Sequence, residues 1–255
     1  MKKRVLIIGM MFFLLISTVC MAGETVRLTN GEWPPFLSEN LKQYGVASHV
    51  VESAFNNMGI TVEYKFFPWK RAYTLAQQGK WDGSVIWSPT EERGKDFYFS
   101  DTVANDVTVF FHLKHKSFDW KNYSDLKGLK VGATLSYDYG EAFAKHEKDG
   151  SIKVDRAVKD ETGFKKLLKK RLDIFACNLD VGYSLIHKMY PIETASLFTN
   201  HPRPVKESPL VLLLSKKLDK NKQLMEKFNQ GLKQLKDSGK FDEYYDASRS
   251  GEYKK

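Results

Sequence analysis

Apolar positions along this chain change period several times, and each change marks an element. Thr25 to Leu28 reads as a short strand. Asn30-Gly31-Glu32-Trp33-Pro34-Pro35-Phe36 ends it, because two prolines exclude regular structure. Val46, Val50, Val51, Ala54, Phe55 and Met58 follow helical spacing, and Gly59 closes that helix. Val62, Tyr64 and Phe66 alternate as a strand. Trp69, Ala72, Tyr73 and Ala76 form the next helical face, ended by Gly79, and Gly83 to Trp87 is a third strand. Strand-helix-strand-helix-strand is the order of a parallel sheet covered by helices.

The β-rich apolar run Val103 to Leu113 leaves this unit, and a loop follows from Lys114 to Gly128. The pattern then repeats. Lys130 to Thr134 is a strand, and Tyr139 to Glu147 a weakly periodic helix. Ile152 and Val154 belong to a strand, and Phe164, Leu167 and Leu168 to a helix. Ile174 to Cys177 is a strand, and Val181, Leu185 and Met189 mark a helix. The segment from Trp81 to Trp87 corresponds in place to that from Leu172 to Asn178, a repetition of architecture and not of sequence. Beyond prolines 202, 204 and 209, Leu210 to Leu214 reads as a strand returning to the first unit. Leu218 to Leu235 is an amphipathic helix with Gly239 after it, and the polar residues on to Lys255 read as a frayed end.

Ligands of open parallel sheets sit beyond the carboxyl ends of the strands. The first unit offers Glu32 to Phe36, Pro68 and Trp69, and Trp87 to Arg93 there. The second offers Leu135 to Asp138, Asp155 to Ala157, and Asn178 to Asp180. Three of the five tryptophans (33, 69 and 87) fall at these strand ends, which favours a pocket wall over three separate core roles. Ser88 with Glu91 has capping-box spacing, and Pro89 takes the first helical position. Arg93 then lies one turn into a helix whose N-terminus already favours anions. Its planar fork suits a carboxylate. The competing reading is an exposed arginine paired with Glu92 or Asp96, which on this stretch alone is the commoner outcome.

Met1-Lys2-Lys3-Arg4, an apolar run from Val5 to Val19, and the small residues Ala22 and Gly23 make a secretory leader, residues 1–22. Cleavage is expected after Ala22, with Gly23 as the alternative. Cys20 allows a lipoprotein only as a minor reading, since Val19 suits lipidation poorly. Losing the leader takes the formal charge from +9 to +6 without creating a basic block, which argues against nucleic acid. One cysteine, Cys177, remains, so no internal disulfide is available. The six histidines (49, 112, 115, 146, 187, 201) are scattered, with no triad and no metal-ligand spacing.

In this order and spacing, several short motifs make the chain resemble the family-3 bacterial extracellular solute-binding proteins, the polar amino-acid binders of ABC importers. They are Trp33-Pro34-Pro35-Phe36, Gly79-Lys80-Trp81-Asp82, Thr90-Glu91-Glu92-Arg93, Phe99-Ser100-Asp101, Asp125-Leu126-Lys127-Gly128-Leu129-Lys130-Val131-Gly132 and Arg171-Leu172-Asp173. The resemblance implies an α/β, two-lobed periplasmic-binding-protein-like fold of type II. Each lobe is then a mainly parallel sheet flanked by helices, and two hinge strands join them, near Phe110 to Lys114 and near Lys206 to Val211. Lobe 1 is expected over residues 23–111 plus 208–255, and lobe 2 over 112–207.

The resemblance further implies a periplasmic monomer without cofactor, metal or enzymatic activity. Such a protein delivers a small carboxylate, amino-acid-like ligand to a membrane permease. Arg93 would clamp the carboxylate, with Ser88 as a further contact, Trp33 as the cover, and Trp69 and Trp87 as walls. In lobe 2 the turn Leu135-Ser136-Tyr137-Asp138 would bind the same group. Asn178 stands where the family has the acid that holds the α-ammonium, and a neutral amide does not neutralise a buried cation. Asp180 or Asp138 could supply the charge, the tryptophans could hold the cation over their rings, or the ligand could lack an amine. Two further readings stand beside the binding protein: a cyclohexadienyl dehydratase-like enzyme using Glu32, Asp138 or Asp180, and a soluble ligand-sensing partner of a membrane receptor.

Overall fold

The computed structural model describes residues 24–135 and 137–255. The expected leader, with its cleavage site and Cys20, and the turn residue Ser136 lie outside the described residues.

Alternating apolar positions form β1 (Thr25–Asn30) and β2 (Thr61–Phe66), and a continuously buried run forms β3 (Gly83–Trp87), with β1 parallel to both of the others. Helices α1 (Val46–Asn56) and α2 (Trp69–Gln77) connect them. α1 buries Val46, Val50, Val51, Ala54 and Phe55, the stripe that its spacing dictates. A short α3 (Glu91–Asp96) leads into the long β4 (Phe97–Leu113). The second unit repeats the scheme with β5 (Val131–Thr134), α4 (Glu141–Lys148), β6 (Val154–Ala157), α5 (Asp160–Leu168), β7 (Ile174–Asn178) and α6 (Leu179–Met189). Here β5 lies parallel between β6 and β7. Then follow α7 (Ile192–Ala195), β8 (Phe198–Asn200), β9 (Lys206–Ser215), α8 (Lys220–Asp237) and α9 (Lys240–Ser250).

The strands run in the order β2-β1-β3-β9-β4-β7-β5-β6, with β8 also on β4. β4 and β9 pair antiparallel from Phe97↔Ser215 to Thr108↔Lys206, and β4 pairs with β7 from Thr108↔Asn178 onward. The β4–β9 ribbon therefore belongs to the first sheet at one end and feeds the second at the other. The two lobes meet on it.

Each lobe has its own core. In lobe 1, Phe55 of α1 packs on Phe228 of α8, ring centroids 4.8 Å apart. α8 approaches α1 so closely that a Cβ on Gly231 would lie 2.0 Å from the Ala54 carbonyl oxygen, so only glycine fits there. In lobe 2, adjacent Phe110 and Phe111 face opposite sides of the sheet. Phe111 joins Phe164 and Phe175, while Phe110 joins Val131, Phe143 and Ile174. Each such ring contributes roughly 1.5–3 kcal/mol by leaving water.

Two expectations are corrected. Ser88 does not cap a helix: α3 begins at Glu91, and Thr90 is its N-cap, with Oγ1 accepting the Arg93 N–H at 3.3 Å. Ser88 and Pro89 link β3 to that cap. The chain's end is not frayed either. Residues 240–250 form α9, whose Tyr245 donates its hydroxyl to the Val103 carbonyl at 3.0 Å. Tyr253 is buried, with its hydroxyl 2.6 Å from His49 Nδ1, and Lys254 pairs with Leu41. Phe241, Tyr244 and Tyr245 give this polar-looking segment the apolar face that docks it.

Candidate functional site

The carboxyl ends of the strands of both lobes face each other across the β4–β9 ribbon. Two adjoining hollows lie there, of about 390 and 360 Å³, and Trp33 and Asp106 line both, which makes them one cleft. Lobe 1 contributes Glu32, Trp33, Trp69, Trp87, Ser88 and Arg93. Lobe 2 contributes Tyr137, Asp138, Tyr139, Asp160 and Asn178. The ribbon supplies Asp106, Thr108, Lys206 and Leu210.

On the lobe 1 side, the rings of Trp69 and Trp87 meet edge to face, centroids 5.0 Å apart. Trp69 lies against Gly31, where a Cβ would come within 2.4 Å of the indole. A register shift between β3 and β9 separates Ser84 from Trp87, and Ile86 within it holds φ at +45°, a strained value for a β-branched residue. This irregularity re-aims the strand end, and the Trp87 indole N–H donates to Ser84 Oγ at 2.8 Å. Arg93 folds back over the link: Nη1 donates to the Ser88 carbonyl at 2.6 Å, and the guanidinium lies 5.0 Å from the centre of the Trp87 ring. Glu92 pairs with Lys95 at 2.7 Å, and Asp96 accepts from Gln77 at 2.7 Å. Neither acid neutralises Arg93, which has no ion-pair partner among the described residues.

On the lobe 2 side, Asp138 accepts from Lys206 Nζ at 2.6 Å and from the Gly140 N–H at 2.8 Å, and the lysine holds its carboxyl below the usual carboxylate range. Asn178 caps α6: Oδ1 accepts the Val181 N–H at 3.0 Å, and Nδ2 donates to Asp106 Oδ1 at 2.8 Å. Tyr139 accepts the Thr134 N–H at 2.7 Å, and burial pushes its hydroxyl up to about 12. Asp160 opens α5, is buried, and accepts the Thr134 hydroxyl; burial raises its carboxyl above the usual range.

Of the ten candidate residues, eight line this cleft and Ser136 lies outside the described residues. Asp180 is the exception. It sits in a separate hollow of about 340 Å³ behind the ribbon, where Asn105 and Val107 point while Asp106 and Thr108 point into the cleft. There Arg249 Nε donates to Asp180 Oδ1 at 2.7 Å. Asp180 is thus already neutralised by α9 and does not replace the missing acid at Asn178.

Two carboxyls in the cleft, Asp106 and Asp160, carry no motif. The signal for Asp106 is a lone charge inside the apolar run Val103 to Leu113. Asp160 follows β6 just as Asn178 ends β7, at the carboxyl end of a parallel strand. Cys177 is buried against Asp160, and burial pushes its thiol well up, which makes it unreactive. Among the described residues no three His, Cys, Asp or Glu groups are arranged to hold a metal. No helix there is long and apolar enough to cross a membrane. A larger hollow of about 940 Å³ opens at the opposite end of lobe 2, where β5 and β6 begin; Asp155, expected at the carboxyl end of its strand, lies there instead, and none of the ten candidate residues does.

The profile of the bacterial extracellular solute-binding proteins, family 3, matches residues 26–247. No curated protein matches the chain. Among solved structures, it is similar to the second substrate-binding domain of a putative amino acid ABC transporter from Streptococcus pneumoniae. The identity is 20%, with 88% of this chain and 98% of that one covered and a TM-score of 0.71. Substrate-binding domain 2 of Lactococcus lactis GlnP, in its open conformation, is 18% identical over 88% of this chain and 95% of that one, TM-score 0.72. An ancestral arginine-binding protein bound to arginine is 26% identical over 87% and 96%, TM-score 0.52.

Proposed function

Because the chain belongs to family 3 of the bacterial extracellular solute-binding proteins, we propose that it captures an amino-acid-like ligand between its lobes and delivers it to a membrane transporter of the ABC importer class. The observation that carries this reading is the pairing of opposite charges in one hollow. Arg93, without an ion-pair partner, and Asp106, on the ribbon, line the same space. A zwitterion matches both: its carboxylate takes the guanidinium fork and its ammonium the carboxylate. Charge-assisted bonds of this kind contribute roughly 1.5–3 kcal/mol each.

Asn178 is then no obstacle, since the negative charge comes from Asp106, one hydrogen bond away. Closure follows from the same geometry. Arg93 belongs to lobe 1, Asn178 to lobe 2 and Asp106 to the ribbon between them, so a ligand touching all three favours the closed arrangement. The lobes divide near residues 111 and 207, with hinges near Phe110 to Lys114 and near Lys206 to Val211. The leader of residues 1–22 exports the chain to the periplasm, where it works as a monomer. The similar domain of a putative amino acid ABC transporter supports a transporter as the partner.

The test is a thermal-shift screen of the mature protein against L-amino acids, carboxylic acids without an amine, betaines and small sugars. A ligand at one hundred times its dissociation constant adds roughly 2.7 kcal/mol of stability. A hit among amino acids that Arg93→Met removes, at an unchanged ligand-free melting point, supports the reading. Hits confined to acids lacking an amine overturn the role of Asp106.

One observation favours a second reading. Asp160 is a buried carboxyl in the cleft whose affinity for its proton is raised, a property suited to an acid–base step. A dehydratase of cyclohexadienyl acids would use such a group. Turnover of prephenate or arogenate establishes that reading, and its absence at high protein concentration removes it.

A further inference from the structure

The mature chain carries a formal charge of +6, yet its cleft is acidic. Glu32, Asp106, Asp138 and Asp160 face Arg93 and Lys206 there. Lys206 is committed to Asp138 at 2.6 Å. A bound zwitterion engages Arg93 with its carboxylate and Asp106 with its ammonium, which leaves the cleft negative. Glu32 stands at the lobe 1 rim, where its Oε1 accepts the Glu39 N–H at 2.8 Å.

Asp160 is the costly one. It is 6% exposed, and no lysine, arginine or histidine among the described residues forms an ion pair with it. Its neighbour Arg156 is engaged elsewhere, bound to Glu147 through Nε at 2.9 Å and to the Thr134 carbonyl through Nη1 at 2.9 Å, with its guanidinium over the Tyr139 ring. The Thr134 hydroxyl and the start of α5 stabilise the carboxylate in part. That support does not offset the burial, which still raises the carboxyl's pKa. A carboxylate held in a cleft without a cation becomes favourable when a ligand brings one. The aromatic walls, Trp33 on one lobe and Tyr137 on the other, also favour a positive group passing between them.

We infer that the ligand is an amino acid whose side chain ends in a cation, and that Asp160 receives that cation from the lobe 2 side. The inference rests on the amino-acid reading above and specifies the ligand's side chain. It makes Asp160 the residue that sets specificity, while Arg93 and Asp106 set affinity for the backbone groups common to all amino acids.

The experiment is calorimetric titration of the mature protein with two matched pairs, arginine against citrulline and lysine against norleucine. Within each pair the size is similar and only one member carries a side-chain cation. The expected result is at least tenfold tighter binding of the cationic member in one pair or both. In Asp160→Asn, and in Asp160→Ser as a second variant with its melting curve recorded, that preference falls by about tenfold. Neutral members that bind wild type as tightly as their cationic partners in both pairs overturn the inference. So does a preference that survives in both variants. Failure of the underlying reading looks different: none of the four ligands binds, or binding persists in Arg93→Met.

Discussion

Asn178 Nδ2 donates to Asp106 Oδ1 at 2.8 Å, so the neutral residue that ends β7 is bound to a carboxylate on the adjacent strand β4. One of the cleft's carboxylates thus stands on the ribbon that joins the lobes, beside Asp138 and Asp160 on the wall of lobe 2. On the proposed reading, a ligand ammonium bound there belongs to the ribbon and to neither lobe wall.

Asp106→Asn keeps the shape and removes the charge. Amino-acid binding is expected to weaken by about 10- to 150-fold, the equivalent of one charge-assisted hydrogen bond. Titration calorimetry checks this, and an unchanged dissociation constant removes Asp106 from the site. Asn178→Asp puts two carboxylates within hydrogen-bond distance. Urea unfolding at pH 7 should then show a loss of roughly 1–3 kcal/mol, and less at pH 4, where one of the pair takes a proton.

Arg93 is expected to act through its fork and not its charge alone. Arg93→Lys retains a cation but cannot make two parallel bonds to one carboxylate, and its ammonium does not stack on Trp87 as a guanidinium does. Binding should be weaker than wild type by about tenfold and stronger than in Arg93→Met. A lysine variant equal to wild type would mean that the guanidinium fork makes no paired contact.

Behind the ribbon, the Asp180–Arg249 pair ties α9 to the first turn of α6, and the carboxylate is almost fully buried. Burial pushes its pKa up, while Arg249 opposes that shift. Arg249→Met strands the carboxylate, and urea unfolding at pH 7 should report a loss of roughly 3–5 kcal/mol. Arg249→Met combined with Asp180→Asn should recover part of it, because no bare charge remains. A single variant as stable as wild type would show that α9 does not depend on the pair.

His49 stacks on Tyr244 at 3.9 Å and meets the Tyr253 hydroxyl, and burial lowers its pKa below 6.5. The folded protein therefore favours the neutral ring. Its contribution is complete above pH 6.5 and is lost as pH falls through the lower folded value. Burial lowers His112 and His187 as well, with the same sign. Glu52, Asp160 and Asp180 are raised by burial and act in the opposite sense, so the histidine part is read by difference. Between pH 7 and pH 5 the melting point of His49→Gln should fall less than that of wild type. Equal falls would show that His49 does not titrate in that window.

Much of the cleft was legible in the chain because it depends on local order. Strand-helix alternation sets which loops stand at the carboxyl ends: Trp33, Trp69, Trp87 and Arg93 in lobe 1, and Asn178 in lobe 2. Other features needed the third dimension. Ser88 and Thr90 are both competent caps three residues before a suitable N–H, and the irregular end of β3 decided for Thr90. Asn178 and Asp180 are two positions apart, but at about 100° per residue that is more than half a turn, so one faces the cleft and the other faces α9. Asp106 became a site residue through the register of β4 against β7 and β9, partners some 70 and 100 positions further along the chain. Local patterning sets the alternation of elements and the faces they bury, because hydrophobic periodicity acts over a few residues. Which charges meet is a matter of packing, because pairing a carboxylate with Asn178 or with Arg249 depends on distances that no local pattern contains.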